Sequence, residues 1–100
     1  LIFRDKNLQD KIIKICSEND LIFMAVFGSF IRGKYRKNSD IDILIKFDKS
    51  KKKTLFDLIK LENKLRKILG RKVDLLTFKS ISPYIRDEVL RTMRVIYEKG

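Results

Sequence analysis

One hundred residues suit a single domain and leave no room for a second independent core, so residues 1–100 are expected to fold as one unit. A 44% hydrophobic content, with only four glycines and one proline, excludes a disordered chain. The 24 lysines and arginines outnumber the 13 acids to give a net charge of +11, which implies attraction to nucleic acid, nucleotides or an acidic protein. The basic residues are spread over Arg32 to Lys37, Lys49 to Lys53, Lys64 to Lys72 and Arg86 to Lys99. A solvated, lysine-rich face fits that spread equally well.

No apolar run approaches the roughly 20 residues that span a bilayer, and the opening LIFRDKNLQDK lacks the basic-then-apolar order of a signal peptide. The first residue is Leu1 and not Met, which leaves room for an upstream start. Cys16 is the single cysteine, so no disulfide can form within the chain, and a reducing, cytoplasmic setting is expected. It sits in an apolar helical pattern and reads as a buried, inert thiol.

In chain order, Leu8, Ile12, Ile15 and Cys16 form a helical stripe over residues 5 to 18. LIFMAVF, residues 21 to 27, is a short apolar run bounded by Asn19-Asp20 and Gly28, the pattern of a central strand buried on both faces. Ser29 is placed to cap a short helix through about Lys34, with Gly33 and the polar stretch to Asn38 forming a loop. Asp40 to Phe47 alternates as a second strand. Asp40, Asp42, Leu44 and Lys46 face one way, and Ile41, Ile43, Ile45 and Phe47 the other. Thr54 with Asp57 resembles a capping box opening a helix whose stripe of Leu55, Leu58, Leu61, Leu65 and Ile68 ends at Gly70. KVDLLTF, residues 72 to 78, reads as a third strand. Pro83 starts a helix carrying Ile85, Val89, Leu90 and Met93. Val95-Ile96-Tyr97 fits strand or helix. The order describes an α/β domain, a small sheet covered by helices.

Three aspartates, Asp40, Asp42 and Asp74, interrupt otherwise apolar strands. A single strand aspartate is readily structural, as a cap or a lysine partner. Three converging carboxylates are harder to place, because two about 4 Å apart repel by roughly 4 kcal/mol at an effective dielectric of 20. Magnesium relieves such repulsion, since it takes oxygen ligands and shares its remaining positions with substrate phosphates. The chain has no histidine, which argues against zinc and imidazole chemistry. A carboxylate and magnesium displacement remains, with two ions, Asp40 and Asp42 as ligands, and Asp74 completing the site and helping to deprotonate a nucleophile. Gly28 follows a strand and precedes a helix, so its backbone can approach a ligand closely. Ser29 adds a hydroxyl, and the helix start presents N–H groups to an anion. Arg32, one turn on, is either a further phosphate contact or an exposed basic residue.

The pattern Gly28-Ser29, ten residues, then Asp40-Ile41-Asp42 resembles the minimal nucleotidyltransferases of the DNA polymerase β superfamily, and is similar to the antitoxin partners of HEPN toxins. Arg32, Gly33 and Ser39 fit the family's GSxxRG and SDxD wording, and Asp74 in KVDLLTF matches its third carboxylate. The resemblance implies a nucleotidyltransferase fold with a mixed sheet and helices on one side. It implies binding of ATP and Mg2+, Ser39 among the nucleotide-binding residues, and transfer of AMP to a tyrosine of a cognate HEPN ribonuclease toxin. A heterocomplex or oligomer is expected, since so small a domain offers little surface to cradle an acceptor. Two other readings stand beside it. One is a non-catalytic antitoxin or binding subunit that neutralises a partner by complex formation, the other a nucleotidyltransferase acting on nucleic acid or a small molecule. Nucleic acid has the charge in its favour, but the three tyrosines are scattered rather than arrayed for stacking.

Overall fold

The structure, a computed structural model, describes residues 4–28 and 40–99. Helix α1 spans Lys6–Glu18 and begins where the Asp5 carboxylate accepts hydrogen bonds from the backbone N–H groups of Asn7 (2.9 Å) and Leu8 (3.3 Å). Asp20, with φ of 61°, turns the chain into strand β1, Leu21–Phe27. Strand β2 covers Ile41–Phe47, one residue shorter than the alternation predicts, with Asp40 just ahead of it. The predicted short helix from Ser29 lies outside the described residues.

Helix α2, Leu55–Leu69, starts at the expected capping box: Asp57 accepts from the Thr54 backbone N–H at 2.8 Å and from its hydroxyl at 3.1 Å. It stops at Gly70, whose φ of 66° is the left-handed turn that glycine adopts without penalty. Strand β3, Val73–Thr77, is followed by a single 3-10 turn, Phe78–Ser80. Helix α3 runs over Pro83–Thr92, capped by the Ser82 hydroxyl, which accepts from Tyr84 N–H at 3.3 Å. The ambiguous C-terminal segment is strand β4, Arg94–Glu98.

The four strands lie in the order β3-β2-β1-β4, with β1 antiparallel to both β2 and β4, and β2 parallel to β3. The sheet is therefore mixed, and β1 is central as its continuous apolar run predicts. Period-two alternation sorts the side chains onto two faces. Ile41, Ile43 and Ile45 join Met24, Val26, Val73 and Leu75 in the main core against Ile12 and Cys16 of α1 and Leu61, Leu65 and Leu69 of α2. Leu44, on the other face, packs with Phe27, Ile81 and Val89 in a smaller cluster. Val89 belongs to α3, so the helices do not all lie on one side as the resemblance implies. The apolar residues on the Asp42 face of β1 and β2 leave a patch that α3 covers. The described residues thus form an α+β layer with its larger core on the α1 and α2 side.

Candidate active site

The strand alternation that sends Ile41 and Ile43 into the main core necessarily sends Asp42 to the opposite face. Its neighbours there are set by register: Asp42 stands opposite Phe27 on β1 and opposite Asp74 on β3. Val73 and Leu75 are buried in the main core, so Asp74 shares the face of Asp42 on a strand about 4.8 Å away. The two acids sit near the starts of β2 and β3, where β1 ends. The backbone N–H of Ile41 donates to the carbonyl of Lys72 at 2.9 Å, tying the two strand starts together.

Gly28 completes this end of the sheet. Its φ is +78°, and a Cβ built there would collide with Asp42 Oδ2 and lie 3.2 Å from Asp42 Cγ. Glycine at this position is therefore a steric condition for the Asp42 carboxylate to occupy its place, besides letting the backbone adopt a left-handed turn. Asp42 is half-buried, whereas Asp40 and Asp74 are exposed. Burial raises the Asp42 carboxyl above the usual carboxylate range, and the negative charges of Asp74 and then Asp40 push it in the same direction.

Asp74 and Asp40 thus both act electrostatically on Asp42 at one end of the sheet. Among the described residues, no set of three or more His, Cys, Asp or Glu side chains is gathered into a ready metal cage. The Asp42–Asp74 pair fits magnesium on other grounds, because that ion uses one or two carboxylates and completes its shell with water and substrate phosphates. The donor set is all oxygen, and added positive charge would relieve the repulsion that raises Asp42. Ser29, Arg32 and Ser39 lie outside the described residues. Cys16 takes no part: it is buried in the main core, on the far face, with its thiol pushed up to about 12 by burial.

Sequence reasoning did not anticipate the wall that α3 supplies. A cavity of about 260 Å³ lies against Gly28, Asp42 and Phe27, closed on the other side by Ile85, Glu88, Val89 and Thr92. These four are spaced i, i+3, i+4 and i+7 and share one helix face. The signal was available as two polar residues set into the Ile85 and Val89 stripe.

The model of the polymerase β nucleotidyltransferase family matches residues 10–100, which include all of this geometry. The chain belongs to the polymerase β nucleotidyltransferase family. A Methanocaldococcus jannaschii relative, provisionally assigned as a protein adenylyltransferase, is 39% identical over 83 residues, 83% of this chain and 87% of its own. The protein adenylyltransferase MntA of Thermococcus cleftensis is 39% identical over 74 residues, 74% of this chain and 71% of its own. Among solved structures, a toxin-antitoxin crystal structure with AMP-PNP superposes with a TM-score of 0.73 at 28% identity, covering 92% of this nucleotidyltransferase and 74% of that chain. The mixed sheet and helices of this family member are accordingly the nucleotidyltransferase fold, and the similarity extends to antitoxins. No helix among its described residues is long and apolar enough to cross a membrane.

Proposed function

We propose that this nucleotidyltransferase, a single catalytic domain, works in the cytoplasm as an antitoxin that transfers AMP from ATP to a tyrosine hydroxyl of a cognate HEPN-type ribonuclease toxin. The observation that carries this reading is the register pairing of Asp42 with Asp74 beside Gly28. The adenylyltransferase relatives and the AMP-PNP-containing toxin-antitoxin neighbour support the nucleotide and the kind of partner.

Gly28 and Ser29 would cradle the triphosphate, with Arg32 and Ser39 as further contacts on the nucleotide. Asp40, Asp42 and Asp74 would hold magnesium, two ions in all. Bound there, the metal supplies positive charge against the triphosphate and lowers the cost of ionising the acceptor. The acceptor oxygen forms a new bond to the α-phosphorus, the bond from that phosphorus to the oxygen bridging to the β-phosphorus breaks, and pyrophosphate leaves with the electron pair. The tyrosine proton passes to a carboxylate oxygen of Asp74. Asp42, held in place by the strand and by the missing side chain at position 28, orients the reacting end of the nucleotide.

A second reading, neutralisation by binding alone, draws on exposed apolar residues at the start of α2, where Leu55 and Phe56 are 70% and 76% exposed beside Lys51, Lys52 and Lys53. Co-expression with the toxin separates the two. The enzyme reading predicts that Asp42→Asn combined with Asp74→Asn abolishes rescue of growth while the complex still forms, and undiminished rescue by the double variant would leave the binding reading in its place.

A further inference from the structure

Of the chain's three tyrosines, Tyr35 lies outside the described residues, Tyr97 packs half-buried against the main core, and Tyr84 is 97% exposed. A ring so placed adds little to packing within the chain. Its phenol oxygen is open to a second molecule, and it belongs to the residue type that the proposed reaction modifies.

Tyr84 follows Pro83 in the first turn of α3, a turn with no acidic residue. Helical side chains lean toward the helix N-terminus, so the phenol projects over Ser82 and away from Asp87 and Glu88 one turn on. The guanidinium of Arg86 folds back to donate to the Ile81 carbonyl at 3.4 Å, and Lys79 is exposed just upstream. With the positive end of the helix dipole, these groups make a basic setting for the tyrosine. The site end of the sheet, with Asp40, Asp42 and Asp74, has the opposite sign. Two chains of +11 repel at long range, but salt screens that repulsion and the local match of signs governs close approach.

The modifying site has to be another copy's. Along α3, Tyr84 stands about 12 Å from Thr92, which lies at the Gly28 and Asp42 end, and its side chain leans the other way. We propose that Tyr84 is a self-modification site, where one copy of the chain transfers AMP from ATP to the Tyr84 hydroxyl of another. The phenol oxygen bonds to the α-phosphorus, the bond from that phosphorus to the oxygen bridging to the β-phosphorus breaks, and pyrophosphate leaves with the electron pair. The phenol proton passes to a carboxylate of the modifying copy. The proposal rests on the AMP-transfer reading above and adds a second acceptor, which competes with the partner's tyrosine for the same site. Its product carries a negative phosphodiester at the start of α3.

In the test, the wild-type chain is incubated without partner, with magnesium and ATP labelled at the α-phosphate, and the label is located by peptide mass spectrometry. Label on Tyr84 is the expected result. Tyr84→Phe should lose the label yet still modify the tyrosine of the HEPN-type partner. Mixed with folded Asp42→Asn, which cannot label itself, Tyr84→Phe should place label on Tyr84 of the Asp42→Asn chain, and an unlabelled Asp42→Asn chain would overturn transfer between copies. Wild type that modifies the partner but not itself, or that labels Tyr35 or Tyr97 instead of Tyr84, would overturn the proposal and leave the AMP-transfer reading standing. Label on neither the chain nor the partner would overturn that reading, and self-modification with it.

Discussion

Asp42 carries an electrostatic cost to folding at the site proposed above. Its carboxyl is raised above the ordinary value of 3.8 by burial, then by Asp74 and Asp40. A carboxyl raised on folding holds its proton more tightly in the folded than in the unfolded state. Stability therefore falls as pH rises from 3.8 through the raised value, and above that window the ionised group is a standing cost. Asp42→Asn should melt at a higher temperature than the wild type at pH 7 to 8 in the absence of magnesium, and the advantage should vanish when thermal melts are repeated below pH 3.8. A wild type as stable as the variant at neutral pH would mean that Asp42 has no such strain. On the proposed metal role, magnesium should narrow the gap by stabilising the wild type more than the variant, which lacks one of the proposed carboxylate ligands. Asp42 was legible in the sequence because it shares with Asp40 the face opposite Ile41, Ile43 and Ile45, in an Asp-x-Asp pair set ten residues after Gly28-Ser29. The steric reason for Gly28 was not, since the approach of Asp42 Oδ2 depends on the antiparallel register of β1 and β2.

At the scale of elements, local chemistry made the helices readable. The Thr54–Asp57 capping box and the left-handed Gly70 bound α2 as their side chains dictate, and Pro83 opens α3. Strand β4 was ambiguous because Val95, Ile96 and Tyr97 offer too short a period. It is settled by partners distant in sequence, pairing with Phe23 to Val26 on β1, and Val95 stays exposed on the outer strand of the sheet. The side of the sheet taken by α3 was illegible for the same reason, since it depends on Val89 meeting Phe27 and Leu44. The site rests on α2 from below: Leu61 and Leu65 are fully buried against the same strands that carry Asp42 and Asp74 on their upper face. Leu65→Ala should cost about 2–5 kcal/mol in chemical denaturation, the range for emptying a buried leucine site. A loss below 1 kcal/mol would mean that α2 is not packed as described.

For the whole molecule, the +11 charge and the acidic site are complementary features. In the proposed function the wide positive field favours the approach of an anionic nucleotide and an acidic partner, and the carboxylates attract divalent cations. The charge by itself leaves nucleic acid, nucleotide and protein open, and the ordering proposed among them rests on the paired acids and Gly28. The identity of the acceptor is the least legible property, because no residue of this chain names it. The most direct test supplies the purified HEPN-type partner, magnesium and ATP labelled in turn at the α- or the γ-phosphate, and follows the label on the partner. Label from the α-position alone, lost with Asp42→Asn and with partner tyrosine replaced by phenylalanine, is the predicted result. Label from the γ-position, or none from either with folded wild-type protein, would contradict AMP transfer as the function of this site.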